Sequence, residues 1–427
     1  MPGARESKLD GVLAEHFPHD LSGTALANDK ATLLLDISDG GKWTVTIDGG
    51  TANLSATSAS RPTCSVQTDS SILNDMLYGR RTGVEAFLDG DLAIRGSLAT
   101  VLKFAGTLAP GIELPGRPRA REIEVDGVRT AYLEAGPADG APLLLLHGLA
   151  ATNASMLPLL AEFADEYRVI APDIPGFGAS DAPVWDYTAQ RLSQWLQAFL
   201  GAIEARGAIV VGNSLGGRVA LELAMMDPTA ANALVLLCPS PAFRRFRQLS
   251  SLVKLLPVSF ARLPQAALPR PLMMAGLRKL FAHPSRVPKS WFDATLDEYD
   301  LSMRHGKHRR AALSALTNIY TEEAFGDRGF WDRLHTIKCP TLFLWGGSDR
   351  LVPAGFARHI TGAIPSADSV VIPDCGHVPQ LELPALTTDM IRRFLGSSRS
   401  LRTVLSPEHA LRYSDLPGNP KIGYLCQ

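Results

Sequence analysis

No stretch of this chain approaches the roughly 18 consecutive apolar residues of a membrane-spanning helix, so the sequence predicts no transmembrane segment. Residues Met1 to Asp20 lack the apolar core of a secretory signal, which predicts a cytoplasmic protein. Neither sign of charge is in excess. Lys and Arg number 42 against 43 Asp and Glu, a net charge of −1, and this argues against nucleic acid as a general partner. Cysteine is scarce as well. The five cysteines (Cys64, Cys238, Cys339, Cys375, Cys426) are scattered, odd in number and never spaced C-x-x-C. Reduced thiols of a cytosol fit this better than a disulfide framework. Cys375 lies beside a candidate catalytic residue and reads as a buried structural thiol.

What is present is ample core material. The chain has 427 residues, 46% of them hydrophobic and 20% charged, as in soluble globular proteins, and the length predicts two domains. The first hundred residues alternate in strand fashion at Leu33-Leu35-Ile37 and Trp43-Val45-Ile47, on either side of Asp39-Gly40-Gly41, which is a hairpin pattern. A strand begins at Cys64-Val66, and residues 70–78 have the pattern of a capped amphipathic helix. The stretch Phe87-Leu88-Asp89-Gly90-Asp91-Leu92-Ala93-Ile94-Arg95-Gly96 then leads into Leu98, Val101, Leu102 and Phe104 at helical spacing. This region holds no repeat and no cluster of histidine, cysteine or acidic side chains.

The glycine-turn strand around Trp43, the helix ending in Tyr78-Gly79-Arg80 and above all the Phe87–Gly96 motif resemble the sterol carrier protein type 2 family, over about residues 10–108. The resemblance implies a small α+β domain enclosing an apolar tunnel, with a lipid or acyl chain as ligand. A domain of the same shape used only for docking or dimerisation is the alternative. The family's tunnel positions are diffuse, and no residue is carried over from them.

Residues 109–120 hold three prolines and two glycines, which is linker chemistry. A hairpin follows, turned at Asp126-Gly127. Beyond it, apolar strand-like runs (Leu143–Leu146, Val169–Ala171, Ala208–Val211, Leu234–Leu237, Thr341–Trp345, Ser369–Ile372) alternate with helical patterns such as Leu192, Trp195, Leu196, Phe199, Leu200 and Ile203. That rhythm predicts a doubly wound, mostly parallel sheet.

The chemistry centres on Ala208-Ile209-Val210-Val211-Gly212-Asn213-Ser214-Leu215-Gly216-Gly217. A buried strand runs into G-x-S-x-G and a helix follows. A serine on such a strained turn has its hydroxyl pushed out above the sheet, with small neighbours to avoid clashes. The new helix aims unpaired amides and its positive dipole end at the same place. The competing reading is a nucleotide-binding turn. That turn wants G-x-G-x-x-G, and Ser214 stands where its second glycine belongs. Asp349 follows one strand through Gly346-Gly347-Ser348, and His377 follows the last strand. Serine needs a base, histidine supplies it, and a carboxylate fixes the imidazole tautomer. The chain order Ser214, Asp349, His377 is the one this architecture requires.

His147-Gly148, Asp173-Ile174-Pro175-Gly176-Phe177-Gly178-Ala179-Ser180, the serine turn, Gly346 to Pro353 and Gly376-His377-Val378-Pro379-Gln380 together resemble the α/β-hydrolase family across about residues 121–396. The resemblance implies an oxyanion hole made by the amides of Leu149 and Leu215, with His147 and Asp173 structural. Some relatives carry the acid one strand earlier. Here that position reads Cys238-Pro239-Ser240, which leaves Asp349 as the acid.

Between about 240 and 334 the strand rhythm stops, where the family inserts a helical cap. Pro241 to Arg310 holds 14 Lys or Arg against 4 Asp or Glu, interleaved with Met273, Met274, Leu277, Leu280 and Phe281. Such a surface suits peripheral contact with an anionic lipid surface or an acidic substrate, and equally a solvated cap face. Residues 397–427 form a polar tail without readable chemistry. The expectation is thus an α/β-hydrolase with a helical cap, preceded by a smaller sterol-carrier-like α+β domain. Its activity is hydrolysis of an apolar ester or thioester through an acyl-enzyme on Ser214, with no cofactor and no metal. Two alternatives stand beside it. One is carbon–carbon bond hydrolysis of a diketone-like substrate, whose enzymes share a Gly-Asn-Ser turn but usually carry an aromatic residue where Val378 follows the histidine. The other is a lipid carrier with a vestigial hydrolase body. The sequence sets neither the substrate nor the oligomeric state.

Overall fold

The computed structural model describes residues 11–13, 15, 17–242, 269–327, 329–364 and 366–396. The apolar stretch from Leu249 to Phe260, the tail 397–427 and Cys426 lie outside the described residues.

Two sheets organise the chain. The first holds β1 (Ala31–Ile37), β2 (Gly41–Asp48), β3 (Thr51–Ser55), β4 (Cys64–Thr68) and β5 (Ala93–Gly96), in the order β3-β2-β1-β4-β5. The alternating burial of β1 turns Leu33, Leu35 and Ile37 inward and leaves the residues between them half-buried. Three helices of this region, Ser70–Leu77, Gly83–Leu88 and Leu98–Ala105, begin on side-chain caps. Asp69 accepts from the Ile72 amide at 2.9 Å, Ser97 accepts from Thr100 at 3.2 Å, and Thr82 and Glu85 form a reciprocal capping box. The space between sheet and helices is lined by apolar side chains, among them Phe17, Phe87, Val101 and Phe104, together with Thr68 and Gly83, and amounts to about 40 Å³. That holds little more than one water. The tunnel implied by the resemblance is therefore narrowed by its own aromatic rings.

The proline-rich segment is not a loose tether. The Arg117 guanidinium donates to the carbonyls of Leu108, Ala109 and Ile112, and Gly136 donates to the Pro115 carbonyl at 3.1 Å. The second sheet starts at Arg119. Its strands are β6 (Arg119–Val125), β7 (Val128–Ala135), β8 (Pro142–Leu146), β9 (Arg168–Pro172), β10 (Ala208–Asn213), β11 (Ala231–Leu237), β12 (Thr341–Gly346) and β13 (Asp368–Ile372), in the order β13-β12-β11-β10-β8-β9-β7-β6. All neighbours are parallel except the β6–β7 and β7–β9 pairs. Leu143 to Leu146 are fully buried because helices cover both faces, which is why the run is unbroken rather than alternating.

A buried ionic network ties the helix after β10 (Leu215–Met226) to the foot of the helical insertion. Arg218, 1% exposed, bonds Glu222 at 3.1 Å and Glu322, and its guanidinium lies over the Phe330 ring at 4.1 Å. Arg333 closes on Glu222 with bonds of 2.6 and 2.9 Å. Burial pushes the Glu222 carboxyl up, but the Arg333 bonds and the Arg218 charge outweigh it and hold the group below its ordinary value of 4.5. A carboxyl lowered by folding lends stability above its unfolded value and loses it as pH falls through the folded one. Glu222→Ala is expected to lower unfolding stability at neutral pH by about 3–5 kcal/mol, because it strands buried charge. The gap between variant and wild type, read from urea midpoints, is expected to narrow as pH falls below the ordinary value of 4.5.

Candidate active site

Ligands of such sheets bind beyond the carboxyl ends of the parallel strands. The loops after β8, β10, β12 and β13 meet there around a cavity of about 500 Å³. Ser214 and His377 both line it, as do Gly148 and Leu149.

Ser214 occupies the turn between β10 and the helix Leu215–Met226 with φ 53 and ψ −112, a left-handed conformation that a non-glycine residue adopts only under constraint. The constraint is visible around it. A Cβ on Gly212 would lie 2.6 Å from the Gly216 backbone, and one on Gly216 would lie 2.4 Å from the Leu146 carbonyl. The two glycines of G-x-S-x-G therefore touch each other and the next strand, and only hydrogen fits at either. Ser214 donates its own amide to the Leu237 carbonyl at 3.0 Å, which locks the turn to β11. Leu215 opens the helix, and the first amides of a helix have no carbonyl partner within it.

Asp349 and His377 are joined. His377 Nδ1 lies 2.7 Å from Asp349 Oδ2, and both side chains are buried. The other Asp349 oxygen accepts from the amides of Leu351 at 2.8 Å and Val352 at 3.0 Å. This fixes the carboxylate plane and leaves one oxygen for the imidazole. Asn213, beside the serine, donates to the carbonyls of Leu237 and His377, each at 3.0 Å. The serine turn and the histidine loop are thereby stitched together by a side chain that the sequence marked only as part of a motif.

Cys238 sits under this pair at the end of β11. Its sulfur, an Asp349 oxygen and a His377 nitrogen lie within 4.8 Å of one another. Burial and the Asp349 charge drive its thiol well above the ordinary range. The grouping reads as the Asp349–His377 pair resting on a small buried sulfur. Cys375, fully buried, is likewise pushed up by burial.

His147 and Asp173 brace the loop after β8. Ile174 donates its amide to His147 Nε2 at 2.9 Å, which places the imidazole proton on Nδ1, facing the Gly148 carbonyl at 2.8 Å. Burial brings this histidine down to about 4, so it stays neutral. Asp173 accepts from the amides of Asn153 at 2.7 Å and Ala179 at 2.8 Å, and burial raises it to about 7. Together they hold Gly148-Leu149 against the serine turn. A Cβ on Gly148 would stand 3.4 Å from that of Ser214.

Two features were not legible in the residues. Glu382, 2% exposed, collects the amides of Gly376 at 2.8 Å, Ala282 at 3.1 Å and His283 at 2.6 Å, and pairs with Arg286 at 3.4 Å. The amide of His377 itself donates to the Leu280 carbonyl at 2.6 Å. The insertion is thus fastened to the histidine loop. The roof of the cavity comes from the helices Arg270–Arg278, Lys289–Met303 and Gly306–Thr321, with Leu272, Leu277, Trp291, Leu296, Met303 and Ile319 facing in. Of the basic residues in this insertion, Arg270, Arg286, Lys289 and Arg304 each pair with a carboxylate. Among the described residues no helix is long and apolar enough to cross a membrane.

The family model for the alpha/beta hydrolase fold matches residues 141–384, more than half of the chain, and that of the SCP-2 sterol transfer family matches residues 13–109. The chain is 28% identical to a 2-hydroxy-6-oxo-6-(2'-aminophenyl)hexa-2,4-dienoic acid hydrolase of Metapseudomonas resinovorans, over 62% of this chain and 86% of that protein. It is 31% identical to a 2-hydroxy-6-oxo-6-phenylhexa-2,4-dienoate hydrolase of Burkholderia cepacia, over 51% of this chain and 72% of that protein. Among solved structures it is similar to a bacterial membrane phospholipase A, with 25% identity, a TM-score of 0.55, and coverage of 70% of this chain and 91% of the other.

Proposed function

Because the chain belongs to the alpha/beta hydrolase fold family and carries an SCP-2 sterol transfer domain before it, we propose that it is a serine hydrolase of apolar, lipid-like carboxylic esters or thioesters. The observation that carries this reading is the cavity itself, walled by aliphatic and aromatic side chains, with Ser214 and His377 on its lining.

In this reading Ser214 Oγ attacks the carbonyl while His377 takes the hydroxyl proton. The tetrahedral oxyanion rests on the amides of Leu149 and Leu215, aided by the dipole of the helix behind Ser214. Collapse expels the alcohol or thiol, protonated by His377, and leaves an acyl group on Ser214. Water, deprotonated by His377, attacks that ester, and the carboxylic acid departs as the serine regains its proton. Asp349 holds the imidazole in the tautomer that accepts at Nε2 and stabilises its cation. No step needs a metal or an organic cofactor.

The names of the relatives favour carbon–carbon bond hydrolysis as a second reading. Against it, Val378 stands where enzymes of that chemistry usually carry an aromatic residue. For the N-terminal domain the apolar lining supports a lipid ligand, bound once Phe87 and Phe104 give way. The helix Arg270–Arg278, with Leu272 57% exposed, is the face proposed for contact with a lipid surface.

A p-nitrophenyl ester series decides between these. On an apolar wall kcat/KM is expected to rise roughly fourfold per added methylene until the chain fills the cavity, since each buried methylene is worth about 0.8 kcal/mol. A fluorophosphonate is expected to label Ser214. Labelling with no ester turnover, but with cleavage of a vinylogous diketone, would favour the second reading. A silent Ser214 would leave a lipid carrier on an inert body.

A further inference from the structure

The N-terminal domain does not merely precede the catalytic one. Its helix Leu98–Ala105 and strand β5 pack against the insertion helix Lys289–Met303, and their buried side chains belong to one continuous apolar core that includes Leu98, Val101, Phe281, Trp291 and Phe292. Polar ties fix the seam. Arg95 binds Asp297 through two bonds of 2.6 and 3.2 Å, and Asp297 also accepts the Gly96 amide at 2.9 Å. Glu298 accepts the amides of Leu98 at 2.9 Å and Ala99 at 3.4 Å, so a carboxylate from the insertion caps a helix of the other domain.

This seam opens onto the catalytic cavity. Leu98 and Glu298 both line it, and Leu98 is the one residue of the N-terminal domain among its described walls. On the same helix face, three, four and seven residues on, Val101, Leu102 and Ala105 line the small apolar space inside the N-terminal domain. Four residues of helix span about 6 Å, so Leu98, on the wall of one apolar space, lies within about one helical turn of residues that line the other.

We propose that the N-terminal domain supplies a wall of the acyl pocket, and that Leu98 is the specificity-determining residue that limits the acyl chain accepted there. The inference rests on the ester-hydrolase reading and deepens it. The substrate class is an ester or thioester whose acyl chain is long enough to reach the seam. A smaller residue at 98 lets the chain run on toward the N-terminal space, and a larger one stops it short. The carrier-like domain thus acts on the same molecule as Ser214 and not on a separate cargo.

The test uses the full chain as wild type, Leu98→Ala and Leu98→Trp, with p-nitrophenyl esters from butyrate to palmitate. Rates are normalised to sites labelled at Ser214 by ethyl fluorophosphonate. Leu98→Ala is expected to raise the palmitate-to-butyrate ratio of kcat/KM by about fifteenfold, the worth of room for two methylenes, and Leu98→Trp to lower it by a similar factor. A second measurement needs no variant. Wild-type protein is labelled at Ser214 with an ethyl or a hexadecyl fluorophosphonate, and amide hydrogen exchange is followed in residues 95–105. Slower exchange with the long chain alone supports the wall. An unmoved ratio in both variants, or equal exchange with both labels, overturns it while the hydrolase reading stands. Failure of Ser214 to label at all strikes that reading instead.

Discussion

Ser214→Ala is expected to lower kcat for the best ester by roughly a millionfold while leaving the fold intact. The size follows from what the hydroxyl does. In the proposed mechanism it is the group that becomes covalently bonded to the substrate, and removing a serine nucleophile elsewhere costs about that factor, near 8 kcal/mol of transition-state stabilisation. In that mechanism, what survives comes from the amides of Leu149 and Leu215 and from binding. The fold should tolerate the change because alanine is as easily held at φ 53 as serine, and the turn is locked by backbone bonds from Ser214 to Leu237 and from Ser240 to Ser214. The melting temperature is therefore expected to stay within about 1 °C, which for a chain of 427 residues corresponds to roughly 1 kcal/mol or less. The check is burst and steady-state kinetics beside thermal unfolding of the same preparation. An alanine variant that folds and retains more than about 1% of turnover defeats the nucleophile assignment, given the loss expected.

Asp349→Asn is expected to lower kcat by about 10⁴, with little change in substrate affinity. Asparagine is nearly isosteric and can still accept the amides of Leu351 and Val352 through its oxygen. That choice turns its NH₂ toward His377 Nδ1, where a carboxylate oxygen stood at 2.7 Å. The imidazole then prefers the tautomer protonated at Nε2, which can no longer take the serine proton. Unchanged KM with a collapsed kcat, and fluorophosphonate labelling slowed by a similar factor, is the signature to look for. Near-normal turnover would mean that the acid is another group. The position after β11 offers only Cys238, whose buried thiol does not ionise readily.

How far the residues foretold this arrangement depends on the range of each cause. The serine turn was legible because its rules are local. A strand buried on both faces reads as an unbroken apolar run, and the glycine at 212 is demanded by a clash with Gly216 only four residues on, whereas the glycine at 216 is demanded by the distant Leu146 carbonyl and is legible only through the motif. Asp349 and His377 were legible for the same reason, each lying in a short loop after a strand that announces itself by composition. The hairpins at Asp39–Gly41 and at Asp126-Gly127 follow from turn chemistry. What no periodicity carries is a contact between distant segments. Glu298 lies about two hundred positions from the amides it caps, and Glu382 a hundred from Ala282 and His283. In sequence each is one more acid on a helix. Leu98 likewise reads as one more member of an apolar stripe, and only the packing of the insertion helix against it shows which space it borders. The proline-rich segment erred in the other direction. Its composition speaks of a flexible link, but Arg117 gathers three carbonyls and folds it into a fixed corner.

The fastening of the insertion to the histidine loop has one further consequence. Glu382 clamps Gly376, Ala282 and His283, and the His377 amide is itself bonded to Leu280. Lifting the roof at that edge would drag His377, the proposed base, out of line with Asp349. Admission of substrate and readiness for catalysis are therefore mechanically incompatible on that side, and a molecule entering a poised site must come in across another part of the rim.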